Sequence, residues 1–192
     1  MKKLILFLVV AALVVPAITL AKMKAPDILD NEKIMTDEGL SKYSTIGVKL
    51  FSTDGVEYEN VDEEEMRNMS RFVKECRMKL ARTIAHDLED KGFKAHVIED
   101  GDDAGKADMV IEGKITKFNL GSFGARFFGG FGAGQAGITV EGQLVEAKGG
   151  KSLAKFEHEN TSGLSEGDKW NLVLHECEDL GDKIADFVDK LR

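Results

Sequence analysis

Past residue 42 the chain switches between two hydrophobic spacings, and the switches divide it into elements. Ile46, Val48 and Leu50 recur every second residue with Gly47 and Lys49 between them, which predicts a strand with one buried face. Thr53-Asp54-Gly55 closes it with turn chemistry. Asp62 with Glu65 three residues on has the form of a capping box, and Met66, Met69, Val73, Cys76, Leu80, Ile84 and Leu88 then recur at spacings of three and four. That spacing predicts a long amphipathic helix ending at Gly92. Phe93, Ala95 and Val97 alternate with Lys94 and His96, so a second strand completes a strand-helix-strand unit, crossing right-handed if the strands are parallel.

Two more half-buried strands follow: Met109, Ile111, Gly113 and Ile115 alternate with polar neighbours, and so do Ile138, Val140 and Leu144. Lys148-Gly149-Gly150-Lys151 suits a tight hairpin into a last strand around Leu153 to Asn160. Ser165 with Asp168 opens a final helix whose apolar positions are Trp170, Val173, Cys177, Leu180, Ile184, Phe187 and Leu191. Alternating strands bury one sheet face, and two helices with single apolar stripes are its natural cover. The expectation is an α+β fold: a two-layer sandwich with one mixed or mostly antiparallel sheet of about five strands, covered on one face by two helices. Lys49, His96, Glu112, Lys114, Thr116, Glu141 and Gln143 would then meet solvent or a partner on the opposite face.

The first residues read differently. Met1-Lys2-Lys3 is a positive start, Leu4 to Leu20 is almost wholly apolar, and Thr19-Leu20-Ala21 places small residues at the cleavage-determining positions. Residues 1–21 are therefore expected to be a signal peptide, cleaved before Lys22. The alternative is an uncleaved anchor, but the run falls short of the roughly 20 residues a span prefers and contains Pro16. Cys76 and Cys177 are the only cysteines, so no lipid-attachment site adjoins the junction. The expected location is periplasmic or secreted, without a lipid anchor. Residues 22–42 show no sustained period and are expected to form a flexible N-terminal segment ahead of a single domain over 43–192.

Composition adds little to the fold and narrows the function. Removing residues 1–21 takes away Lys2 and Lys3 but no acid, so the net charge moves from −8 to −10. A nucleic-acid partner needs a dense basic surface, and here Lys and Arg are interleaved with a larger number of Asp and Glu.

The stretch from Asn119 to Gly137 departs from the rest, with seven glycines, the phenylalanines Phe123, Phe127, Phe128 and Phe131, and Arg126 as its only charge. Gly132-Ala133-Gly134-Gln135-Ala136-Gly137 matches the dinucleotide-binding glycine pattern letter for letter. That fingerprint works by placing pyrophosphate at a helix N-terminus, whereas the segment from Ile138 has a strand's period, so no nucleotide is expected. Four aromatics with almost no charge are costly to leave in water. They fold back on the domain edge or are buried in another subunit, another protein or a membrane. The residues of this candidate interaction loop are Phe123, Arg126, Phe127, Phe128, Gly130, Phe131, Gly132 and Gly134.

No catalytic, cofactor or metal set stands out. His175-Glu176 begins like a zinc-protease motif, but Asp179 occupies the position of the second histidine. His86, His96 and His158 lack spaced ligand clusters, and Ser70 and Ser122 lack a nucleophile elbow. Carboxylate pairs for glycoside hydrolysis are recognised by distance in space, so a small secreted hydrolase stays an alternative.

The run Gly121-Ser122-Phe123-Gly124-Ala125-Arg126-Phe127-Phe128-Gly129-Gly130-Phe131-Gly132-Ala133-Gly134, followed by the strand Ile138 to Ala147 and a Gly turn, resembles a bacterial family of exported proteins classed as a domain of unknown function, DUF4410. Ala107-Asp108 and Gly113 fit the preceding part, and the resemblance covers roughly residues 43 to 165. Many members look like lipid-anchored envelope proteins, from which this chain departs in lacking the lipid-attachment cysteine. The family is more distantly similar to α+β domains of outer-membrane assembly factors, of the curli secretion channel and of peptidoglycan-synthase activators. The resemblance implies a location and a binding role and supplies no catalytic residue. The expected function is that of a non-enzymatic cell-envelope protein that binds an envelope protein or assembles, with a self-associating structural subunit as the second reading.

Cys76 and Cys177 fall at core-facing positions near the middle of the two helices. Helices side by side lie about 8 to 10 Å apart, which can bring facing Cα atoms within disulfide range. An oxidising compartment permits a bond; two buried thiols serving as small apolar residues are the equal alternative.

Overall fold

The computed structural model describes residues 23–102, 104–122, 134–162 and 168–192. They form seven strands and two long helices: β1 (Asn31–Ile34), β2 (Thr45–Lys49), β3 (Glu57–Glu59), α1 (Glu63–Asp90), β4 (Lys94–Ile98), β5 (Met109–Asn119), β6 (Gly137–Glu146), β7 (Ser152–Thr161) and α2 (Lys169–Lys190). All strands join one mixed sheet in the order β1-β7-β6-β5-β2-β4, with β3 also paired to β5. The half from β5 to β1 is antiparallel, whereas β2, β3 and β4 run parallel to their neighbours.

The sheet has seven strands where the sequence led us to expect five. β1 spans four residues with one buried side chain, too short for alternation to register, and lies within residues 22–42, which were expected to form a flexible segment. Leu29 and Leu40 of that segment are also buried, and the Leu40 N–H donates to the Leu191 carbonyl at 2.7 Å. β3 is exposed throughout; what holds it is pairing with Lys117, Phe118 and Asn119 of β5, which no local pattern reveals.

The helices follow their caps. Asp62 and Glu65 form the reciprocal capping box, and Asp168 caps α2 through the Asn171 N–H. α1 ends before Gly92, whose φ of 88° suits a residue without Cβ. α1 packs on β2 and β4, α2 on β6 and β7, and the helices on each other. Ion pairs Glu65–Lys169 at 2.9 Å and Asp186–Lys91 at 2.8 Å, with Lys79–Glu178 between them, climb both helices in the same direction, so they run parallel. A Cβ on Gly181 would lie 2.7 Å from the Thr83 Cβ, so the missing side chain permits the close helix approach.

The core lies between these helices and alternate residues of the strands: Ile46 and Val48, Ile111 and Ile115, Val140 and Leu144, Ala154 and Phe156. Gly142 is opposite Phe156 in the register, and its Cβ would come within 2.2 Å of that ring. The aromatic ring covers the glycine backbone and meets Phe187 of α2 edge-on at 5.8 Å.

Candidate functional site

The other phase of the same strands is polar. Register places Lys33, Lys155, Gln143 and Glu112 side by side from β1 to β5, with Lys49 beyond them on β2. Two residues further along, Asn31, Glu157, Glu141 and Lys114 form a second row. These two rows line an open hollow of about 930 Å³. Its Lys49, Glu112, Lys114, Glu141 and Gln143 are those the alternation assigned to this face. Lys155 and Glu157 come from the strand expected around Leu153 to Asn160, whose outward phase the sequence reading did not assign, and β1 was not expected at all.

Charges within the rows are only partly matched. Lys49 Nζ lies 2.7 Å from Glu112 Oε2, and Gln143 donates to the other oxygen of that carboxylate at 2.9 Å. The Lys49 hydrogen bond, helped by Gln143, holds the Glu112 carboxyl below its usual range despite burial. By contrast Lys33 sits directly opposite Lys155, and Glu141 opposite Glu157. Like charges opposed across strands destabilise a sheet. Among the described residues, no ion pair includes Lys33, Lys155, Lys114 or Glu141. One end of this face is closed instead by a small apolar cluster of Ile98, Ala107, Val110 and Val145.

A second polar constellation lies on the helix side. His158 and Asn160 occupy the buried phase of β7, and α2 contributes Glu176 and Lys183. Lys183 Nζ donates to Asn160 Oδ1 at 2.6 Å and lies 3.0 Å from His158 Nε2; Asn160 Nδ2 in turn donates to Glu176 Oε2 at 2.8 Å. Nδ1 of the same ring faces the Asp30 turn, 3.2 Å from the Asp30 backbone nitrogen and 3.0 Å from Asp30 Oδ2. Burial and the Lys183 charge hold His158 below the ordinary imidazole range, while burial, then Asp179, raises Glu176. Every member has a partner inside the chain, which makes the group a structural network joining β7, α2 and the Asp30 turn.

Sequence reading passed over this network because its bonded members lie up to 128 residues apart. The available signal was two polar residues in the buried phase of β7. His175 is exposed beside Glu178 and Asp179, each at 3.7 Å. His96 is exposed on β4. His86, Asp87 and Asp90 bring their ligand atoms within 4.8 Å of one another near the exposed end of α1, where His86 lies 3.2 Å from the Asp87 carboxylate. Asp87 also shares a hydrogen bond with Asp182 across the helix pair; that bond, with burial, lifts the Asp182 carboxyl to about 6.

Residues 1–21, expected to be a signal peptide, and the loop residues Phe123, Arg126, Phe127, Phe128, Gly130, Phe131 and Gly132 lie outside the described residues. Of the loop set, Gly134 is described: it has a φ of 76°, and its carbonyl accepts from the Ser122 N–H at 2.9 Å, so the two ends of the glycine segment meet. Gly137 begins β6, and a strand therefore follows the glycine pattern. Cys76 and Cys177 are free, wholly buried thiols between the two helices. Burial pushes Cys76 well above its ordinary range, and the hydrogen-bonded Cys177 thiol adds to the shift. Among the described residues no helix is long and apolar enough to cross a membrane.

The family model described as "Domain of unknown function (DUF4410)" matches residues 46–165. No curated protein matches the chain. Among solved structures, a PelC dodecamer from Paraburkholderia phytofirmans is similar at 11% identity and a TM-score of 0.49, over 80% of this chain and 97% of that one. A DUF4136 family protein from Bacteroides thetaiotaomicron is similar at 13% identity and 0.40, over 81% and 93%. Lipoprotein GNA1162 from Neisseria meningitidis is similar at 15% identity and 0.37, over 67% and 90%.

Proposed function

The chain belongs to the DUF4410 family, and on that premise we propose that it is an exported, non-enzymatic protein of the cell envelope that works by binding a protein partner through the open face of its sheet. The location rests on the positive start and apolar run of residues 1–21. On this reading the fold is a two-layer sandwich, with both helices committed to one sheet face and the other left for association.

The observation that carries the binding role is the pair of charge rows around the 930 Å³ hollow, where like charges oppose each other across strands and, among the described residues, Lys33, Lys155 and Glu141 enter no ion pair while Glu157 accepts only from the Asn31 amide at 3.3 Å. A surface selected only for solubility has no need of Lys33 against Lys155 beside Glu141 against Glu157. The mixture of signs within one hollow suits a protein surface bearing both charges better than a phosphate backbone.

A photo-crosslinking side chain at Gln143, in the middle of the hollow, tests the reading in the native compartment. Defined protein adducts are expected at Gln143 and not at Arg82, which is exposed on α1. Equal adducts at both positions, or none at Gln143, would sink it.

A further inference from the structure

The two rows are complementary to each other. Along β7 the row positions are Lys155 then Glu157, along β5 Glu112 then Lys114, and along β6 the neutral donor Gln143 is paired with Glu141. A two-fold axis lying between the rows and parallel to them turns each row onto the other in a facing copy. Lys155 then meets Glu157 of the second copy, Lys114 meets its Glu112, and Gln143 meets its Glu141. Each contact occurs twice, as an isologous interface requires. The same operation sets the strands of the two sheets nearly in line, the aligned class of sheet packing, about 10 Å apart and within reach of a lysine and a glutamate from opposite sides.

We infer that the occupant of the open sheet face is a second copy of this chain, docked face to face through Lys155–Glu157 and Glu112–Lys114 contacts. The inference rests on the binding role proposed above and names its partner. Charge complementarity carries it: of the opposed like charges that cost each free chain, Lys155 and Glu157 become neighbours of opposite sign when two chains meet, while Glu141 meets the Gln143 amide and Lys33 meets Asn31. The hollow accommodates the long side chains of both rows. Lys155 and Glu157 are the residues to probe, because both are exposed and neither is needed by the core.

The experiment is sedimentation equilibrium of the exported chain, with Lys155→Glu and Glu157→Lys variants alone and mixed. The wild type is expected to dimerise, with a Kd that rises with salt. Each single variant places like charges opposite each other and should raise Kd at least about tenfold. An equimolar mixture of the two should recover the affinity, because one chain then presents two glutamates to two lysines. Recovery would not follow if either variant had misfolded. A wild-type dimer that ignores these substitutions, or a mixture no tighter than its components, overturns the inference. So does a wild type that stays monomeric while Gln143 still crosslinks to a different protein, an outcome that leaves the binding role standing. A monomer without any adduct at Gln143 removes both.

Discussion

β7 presents polar groups to both sides of the sheet, and the two sides treat them differently. Toward α2 it offers His158 and Asn160, each bonded to Lys183, Glu176 or Asp30 of the same chain. Toward the open face it offers Lys155 and Glu157, which sit opposite residues of like charge in the register. The first arrangement satisfies buried groups that would otherwise destabilise the fold. The second gives the free chain little, a single exposed bond from Asn31 to Glu157 at 3.3 Å. The contrast separates polar residues kept for folding from polar residues kept for association, and it can be broken from either side.

The largest effect is expected between the helices. The parallel contacts Glu65–Lys169 and Lys79–Glu178 bracket Cys76 and Cys177, and Gly181 draws the helices close one turn further on. Refolding the denatured, reduced chain with oxidised glutathione is expected to couple the two thiols. Two electrons and two protons pass to the glutathione disulfide, and the new bond closes a loop on the order of 100 residues worth up to about 4.7 kcal/mol in the chain-entropy model. Thiol counting under denaturing, non-reducing conditions checks it; two free thiols after refolding would show that the pair serves only as small apolar packing.

Next in size is the buried network. Asn160→Ala removes the amide that links Lys183 to Glu176, and the loss should be about 2 kcal/mol in urea unfolding. A change below about 0.5 kcal/mol would mean that water replaces the amide and that the helix-side cluster is not held as tightly as its distances indicate.

The sequence was informative where a local period governs structure. Both helices, the Asp62 cap, the five longer strands and the polar phase of β5 and β6 follow from spacing, whereas the last helix, read as opening at Ser165 with Asp168, is capped by Asp168 itself. β1 and β3 escaped because a strand of four or three residues carries no period, and β3 is held by pairing alone. The His158–Lys183–Asn160–Glu176 cluster escaped for another reason: its chemistry exists only once β7 and α2 have packed. Lys155 and Glu157 lie in the strand read around Leu153 to Asn160, but their face and their relation to Glu141 and Lys33 needed the strand register. The phenylalanines chosen from composition lie outside the described residues, so the face now favoured for binding is the one indicated by alternation.

The central claim is that the open face serves association and the helix-covered face serves stability. It is tested most directly by neutralising the rows with Lys155→Ser, Glu157→Ser and Glu141→Ser together, and reading the adduct yield of a photo-crosslinker at Gln143 against the unmutated rows. The account predicts that adducts disappear while stability to urea shifts by less than about 1 kcal/mol, as exposed substitutions usually do. Undiminished adducts from a folded variant, or a variant that cannot fold, would contradict it.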